Sequence, residues 1–286
     1  MSAATPSSRA TAGSRGLGGE FDGEHSPSAP ASDEVWPVYA GKSFNLWQPD
    51  TGEYYDSVHA MSITDHLQQK RLSQRRTRTS AFADLPEALL ADPGSLPCRR
   101  ARIAFRDVTN PTNTRTLVAA LVPPDRVVVH KAPYLFQLAG SPSDEAYVLG
   151  VLCSMPCDWQ ARRTVELVMS FEQLRLLPVP DPGEGHPVRD RVVEIAGRLA
   201  AVDGRFADWA LAVGVSVGSA RDPSTKADLI CDLDACVAHL YGLDEDDLAV
   251  LYGTFDAKRP DRYADHHAGV LTHFRRWSDT VHSLAP

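Results

Sequence analysis

Arg102-Ile103-Ala104-Phe105-Arg106-Asp107-Val108-Thr109-Asn110-Pro111-Thr112-Asn113-Thr114-Arg115-Thr116-Leu117-Val118-Ala119-Ala120-Leu121-Val122-Pro123-Pro124 reads as two strands and a loop. Residues 102–108 and 115–122 are apolar, alternating and rich in strand formers. Between them, Thr109 to Thr114 is built from side chains that favour turns and form hydrogen bonds. Arginines stand at both strand mouths. A loop of this kind can present Asn, Thr and Arg to polar groups such as base edges and phosphates.

Outward from this stretch, residues 126–130 and 134–138 read as further short strands, punctuated by Pro123, Pro124 and Pro133. A helix is expected next, with Ser143 as N-cap, Asp144 and Glu145 in its first turn and Pro156 as its stop. Asp158 opens another helix through Trp159, Arg162, Arg163 and Val165. Ser170 and Gln173 form a capping-box pattern, and Pro178 and Pro180 end that element. Asp181 to Pro187 reads as a linker. Beyond it, Val192, Ile195, Leu199, Val202, Phe206, Trp209 and Val213 step by three and four as one apolar stripe. Arg191, Arg198 and Arg205 make a second, basic stripe, either a solvated face or a contact to a nucleic-acid backbone. Asp222-Pro223 starts a helix whose buried side is Ile230, Leu233, Val237 and Leu240. Asp244 to Asp247 opens the next, ending near Gly253; the helix dipole explains four acids there more simply than a metal does.

The expected class is therefore α+β. A small mixed or antiparallel sheet from about 100 to 140, flanked by helices, makes a target-recognition-like unit over 34–182, and a helical domain follows over 183–286. Residues 1–33 are mostly Ser, Ala, Gly, Pro and Thr without apolar periodicity, and are expected to be a disordered tail. They hold no signal-peptide apolar region, and the chain has no run long enough to span a bilayer, so a cytoplasmic protein with reduced thiols is expected.

The net charge of −8 argues against a general nucleic-acid binder, but its distribution is uneven. Residues 70–115 hold ten Lys or Arg against four acids, net +6, and residues 181–286 hold eighteen acids against eleven bases, net −7. Screening over roughly 8–10 Å lets a basic face act despite an acidic far end. Arg75, Arg76 and Arg78 form a cluster with no acid among them, suited to phosphate contact. Other motifs have plainer readings. Gly41-Lys42-Ser43 lacks the earlier glycine of a phosphate loop, since position 36 is Trp. Cys153, Cys157, Cys231 and Cys236 could be imagined as zinc ligands, but occupy core-like helical positions. Trp36, Tyr39, Phe44, Trp47, Tyr54 and Tyr55 read as packing residues rather than base-stacking platforms. Asp256-Ala257-Lys258 could belong to a nuclease metal site, though no partner acid has suitable spacing.

Several blocks in one order support a resemblance. They are Gly41 to Trp47, Arg102 to Pro124, Ala146 to Ser154 with Asp158 to Arg163, Leu177 to Pro180, Ala196 to Asp203, Asp234-Ala235 and His239 to Leu243. Over residues 35–280 the chain resembles the C-terminal half of large adenine-specific DNA methyltransferases. These are the Eco57I-like enzymes of restriction-modification and phage-defence systems (type IIG/IIL, BREX and DISARM), which carry a TaqI-type specificity domain. The resemblance implies sequence-specific binding of double-stranded DNA, with Arg102, Arg106, Thr109, Asn110, Thr112, Asn113 and Arg115 facing it. The family's catalytic half has no counterpart here. Asn110-Pro111 continues into Thr112-Asn113 rather than Pro-aromatic, and no Gly-rich loop for S-adenosylmethionine follows a strand. The chain is thus expected not to methylate alone, and the cofactor to bind a missing or partner catalytic subunit. The alternatives are a protein–protein adaptor or degenerate fragment docking such a subunit, or the metal-dependent nuclease considered above.

Overall fold

The computed structural model describes residues 30–31, 33–137, 139–256 and 262–284. The tail expected over 1–33 lies almost wholly outside them, as does most of the Asp256-Ala257-Lys258 stretch. Among the described residues the chain is a mixed α+β protein with more helix than strand.

Strand β1 (Val35–Tyr39) pairs antiparallel with β2 (Asp56–His59), which runs into helix α1 (Ala60–Gln74). A short helix α2 (Glu87–Ala91) precedes strands β3 (Arg102–Phe105) and β4 (Ala119–Val122). These two form their own antiparallel pair, with Arg102 opposite Val122 and Phe105 opposite Ala119. Strand β5 (Val127–Val128) returns to lie parallel to β1, completing a sheet of order β2-β1-β5.

The 102–122 stretch is therefore a hairpin, but its strands are shorter and its connection longer than the residue pattern suggests. The reason lies in where the backbone groups go. Thr109 donates from N to Leu167 O (3.0 Å) and Met169 from N to Asp107 O (2.7 Å), so 107–109 pairs with 167–169. Thr116 N and Leu117 N donate to the Asp158 carboxylate, not to a neighbouring strand. Tyr134 makes a single bridge to Ala104 where a strand over 134–138 was expected.

Helix α3 (Pro142–Cys153) packs on β4. Its cap is Ser141 with Pro142 in first position and Asp144 reciprocating, two residues before the expected Ser143. Pro156 does not end it. Ser154 caps α4 (Met155–Thr164), and Pro156 sits in that helix's first turn, where no amide is needed. Helix α5 (Phe171–Arg175) starts at the Ser170–Gln173 box as the pattern predicts. The stripe from 192 to 213 is split into α6 (Pro187–Ala200) and α7 (Ala207–Val213) by a turn that Asp203 caps. Helix α8 (Pro223–Leu240) begins at the Asp222 cap, followed by α9 (Glu245–Asp256) and α10 (Ala264–Leu284).

One apolar core joins these parts. Ile103, Phe105 and Leu121 from the hairpin meet Leu149 and Val151 of α3, Val192, Ile195 and Leu199 of α6, and Leu233 and Val237 of α8. Burial of this continuous set is the main stabilising term. All five cysteines are buried and unpaired, and no group of three or more His, Cys, Asp or Glu among the described residues is placed to hold a metal. No described helix is long and apolar enough to cross a membrane.

Candidate nucleic-acid interface

The hairpin's connection is held by a buried carboxylate. Asp158, in the first turn of α4, is fully buried. Its Oδ1 accepts from Thr116 N at 2.8 Å and Leu117 N at 2.6 Å. Its Oδ2 faces Arg162 Nε at 3.2 Å and Arg115 Nε at 3.7 Å. Arg162 donates from Nη2 to the carbonyls of Asn113 (2.6 Å) and Thr114 (2.7 Å). Arg115 donates from Nη2 to Cys153 O and Ser154 O at the end of α3. Burial opposes the charge of Arg115, but the carboxylates of Asp158 and Asp234 outweigh it and hold its proton more tightly.

The tip then projects from this base. Asn110 folds its Oδ1 back onto Thr112 N and Oγ1, both 2.8 Å, an Asx turn. Thr112 and Asn113 are exposed; Asn113 N donates to Asn110 O at 3.0 Å, while its side-chain amide makes no hydrogen bond among the described residues. From the other side, Arg262 Nη2 donates to Thr114 Oγ1 at 2.8 Å and Tyr263 OH to Thr114 O at 3.3 Å. The guanidinium of Arg162 lies over the Phe255 ring at 3.9 Å.

The residues predicted from sequence divide into two groups. Asn110, Thr112 and Asn113 stand at the tip. Arg75, Arg76 and Arg78 are exposed just past the end of α1, where Arg75 meets Glu87 at 3.5 Å and Arg76 and Arg78 have no ion pair among the described residues. The others face inward. Arg102 is 3% exposed; its guanidinium lies over the Tyr134 ring at 4.9 Å and donates to Arg126 O at 2.7 Å. Burial disfavours its charge, and the neighbouring carbonyl and ring are what it has in place of water. Arg106 donates to Phe44 O (2.5 Å), Thr109 to Thr116 O, and Arg115 braces α3. As placed, the polar groups of these four are engaged within the chain.

The basic stripe is likewise spent internally. Arg191 pairs with Asp232 and Glu194, Arg198 with Glu194, and Arg205 with Asp50 and Asp203. Sequence reading missed Asp158, Arg162, Arg163 and Arg262 as parts of the loop's surroundings. The Asp158–Arg162 spacing of four signals an ion pair on one helix face, but nothing local signals that it reaches residues 113–117. Arg163, stacked over the Trp159 ring at 4.0 Å, and Arg262 are exposed cations on the elements that hold the loop.

A second polar junction supports α4 from below. Asp234 accepts from Met155 N (2.8 Å) and from His266 Nε2 (2.8 Å), while His266 Nδ1 lies 3.4 Å from Cys231 Sγ. Burial alone would lower the His266 pKa, but its bonds to Asp234 and Cys231 push it up to about 10, so the ring is an imidazolium at neutral pH. The sulfur sits mid-helix against Gly269, where an added methyl would come within 2.8 Å of it. This is a packing junction rather than an open nucleophile site.

The Gly41-Lys42-Ser43 stretch, whose sequence lacks a phosphate loop's earlier glycine, follows β1. Gly41–Ser43 forms a single 3₁₀ turn that returns to extended backbone at Phe44, and a methyl group at Gly41 would stand 3.3 Å from Lys131 O.

Fold and site together define an α+β protein that displays a braced polar loop beside exposed cations. No family model matches the chain, and no curated protein matches its sequence. Among solved structures it is similar, at a TM-score of 0.37 and 13% identity, to the type IIL restriction-modification enzyme MmeI in complex with DNA. The match covers 78% of this chain and 31% of that one, so the chain spans about a third of that enzyme's length. A likeness at this level does not establish a family.

Proposed function

We propose that the chain is a sequence-specific DNA recognition module of an adenine-N6 DNA methyltransferase system of the restriction-modification or phage-defence type. It grips the duplex while a separate catalytic subunit holds S-adenosylmethionine and modifies the base. The observation that carries this reading is the exposed tip, where Arg162 holds the carbonyls of Asn113 and Thr114 and Tyr263 that of Thr114, while the Asn113 side chain is left to the solvent. Asn can pair with adenine through two hydrogen bonds, and a tip of this shape can enter a groove edge-on. Arg76, Arg78, Arg163 and Arg262 supply cations for phosphates.

A second reading, a protein–protein adaptor, draws on the exposed apolar side chains at the loop's base. Val108, Leu167, Val168 and Phe171 lie open on and beside the 107–109/167–169 pairing. In a recognition module the same surface suits the catalytic subunit.

Duplex binding measured by fluorescence anisotropy over a salt series separates the two. For the recognition module, affinity falls steeply with salt, and the double variant Arg76→Ala/Arg78→Ala weakens all duplexes and reduces the log–log slope by about 1 for each lost phosphate contact. Asn113→Ala instead relaxes preference at one base position, by about 1–3 kcal/mol. A parent chain that binds no duplex, or binds all sequences alike, would leave only the adaptor.

A further inference from the structure

Asp158 does not reach the surface, so it cannot touch a nucleic acid, yet it governs most of the loop's backbone. Its Oδ1 orders the returning arm through Thr116 N and Leu117 N. Its Oδ2 orders the tip through Arg162, whose fork closes on the carbonyls of Asn113 and Thr114. Through Arg115 it also ties that arm to the end of α3. A single buried charge thus stands between two guanidinium groups and two backbone amides. Without it, two cations in a poorly solvated site lose their counter-charge, and the carbonyls of the tip lose an oriented donor.

We infer that Asp158 is a positioning residue for base readout, acting through residues 109–117 to set sequence discrimination without contacting DNA. This rests on the recognition function proposed above. The physical ground is preorganisation. Two-bond recognition of a base edge tolerates small displacement only, and a tip that must be ordered on every encounter gives up part of the contact's free energy. Phosphate contacts from long, exposed side chains such as Arg76 and Arg78 do not share that demand. Loss of the brace should therefore lower discrimination and leave backbone affinity intact, a split that a merely structural role would not produce.

The test uses the full chain and two variants. Asp158→Asn keeps the volume and one acceptor oxygen but removes the charge. Arg162→Lys keeps the charge but removes the guanidinium that bridges Asp158 and the two tip carbonyls, and leaves the Asp158 carboxylate itself in place. A preferred duplex is first selected from a random pool by the parent. Affinity for it and for a scrambled duplex is then compared, alongside amide hydrogen exchange. Both variants should exchange at least tenfold faster over 110–117 with β3, β4 and α3 unchanged. The preferred-to-scrambled ratio should fall at least tenfold, with scrambled affinity and salt slope within twofold of the parent. If the parent discriminates and the variants keep its ratio, or lose scrambled affinity in step, the assignment of Asp158 is overturned while the recognition function stands. A parent without sequence preference overturns both.

Discussion

Arginine is costly to bury, and this fold buries Arg71, Arg99, Arg102 and Arg189 nonetheless. Each finds acceptors inside. Arg71 donates to Leu90 O, Asp92 O and Ser95 Oγ, and Arg99 pairs with Asp125. Arg189 pairs with Asp144 over the Tyr147 ring. Arg102→Ala would strand the Arg126 carbonyl and empty the space over Tyr134. We expect it to destabilise by about 2–4 kcal/mol, the range for a lost buried hydrogen-bonding side chain. Arg76→Ala, on the surface, should shift stability by no more than about 0.5 kcal/mol. Urea midpoints at constant m-value measure both, and equal effects would mean that Arg102 is not buried as described. The same contrast explains how much of the candidate site was legible. The tip residues Asn110, Thr112 and Asn113 could be found because turn chemistry is local. Arg102, Arg106 and Arg115 could not be sorted from Arg76 and Arg78, because a guanidinium aimed at a carbonyl and one aimed at a phosphate look alike in sequence. The hold of Asp158 on the loop was not visible, since Arg115, Thr116 and Leu117 lie some forty residues back in the chain.

At the scale of elements, α3, α6 and α8 cross closely, and Gly150 sets the spacing. A methyl group there would lie 2.7 Å from Val192 Cγ1 and 3.3 Å from both Ala196 Cβ and Leu233 Cδ1. Two effects compete in Gly150→Ala. Helix propensity favours alanine by about 1 kcal/mol. Overpacking a filled core costs about 1–3 kcal/mol, and the clash is with a β-branched side chain held on a neighbouring helix rather than a flexible end. The steric effect should win, giving a net loss of up to about 2 kcal/mol. Val192→Ala in the same chain should recover part of it, seen as a favourable coupling of about 0.5–3 kcal/mol in a double-mutant cycle. A rise in thermal midpoint for Gly150→Ala alone would contradict the close crossing. Helix existence was legible from sequence wherever a cap was: Ser170 with Gln173, and Asp222 with Pro223, begin helices as read. Boundaries shifted where two signals competed. Ser141 prevailed over Ser143 because Pro142 fits first position, and Pro156 opened a helix because its missing amide is harmless there. The hairpin's length was misjudged because Asp158 and residues 167–169 take backbone groups that the alternating pattern assigns to strands.

The whole molecule follows from the crossing of these helices. The sequence suggests two units, one before residue 183 that carries the basic 70–115 window and an acidic one after it. The core is nevertheless shared, since Leu149 and Val151 pack with Val192, Ile195, Leu233 and Val237. Polar ties also cross the boundary: Glu145 accepts from Trp209 Nε1 at 2.8 Å, Asp234 holds Met155 N, and Arg262 grips Thr114. Several acids after residue 183 pair with arginines of that same part of the chain, as Arg191 with Asp232 and Glu194 and Arg275 with Glu245 show. The chain should accordingly unfold in one cooperative step, with near-ultraviolet and far-ultraviolet circular dichroism coinciding along a urea titration. A fragment of residues 34–182 would expose the face of α3 that α6 and α8 cover and leave Glu145 and Thr114 without their partners. We expect it to lack a sharp transition and fixed aromatic signals, and to bind DNA, if at all, without sequence preference, because the Arg262 side of the loop would be gone. A fragment with its own steep transition and the parent's duplex preference would show instead that residues 183–286 form a separate unit and that the brace from α4 suffices to order the tip.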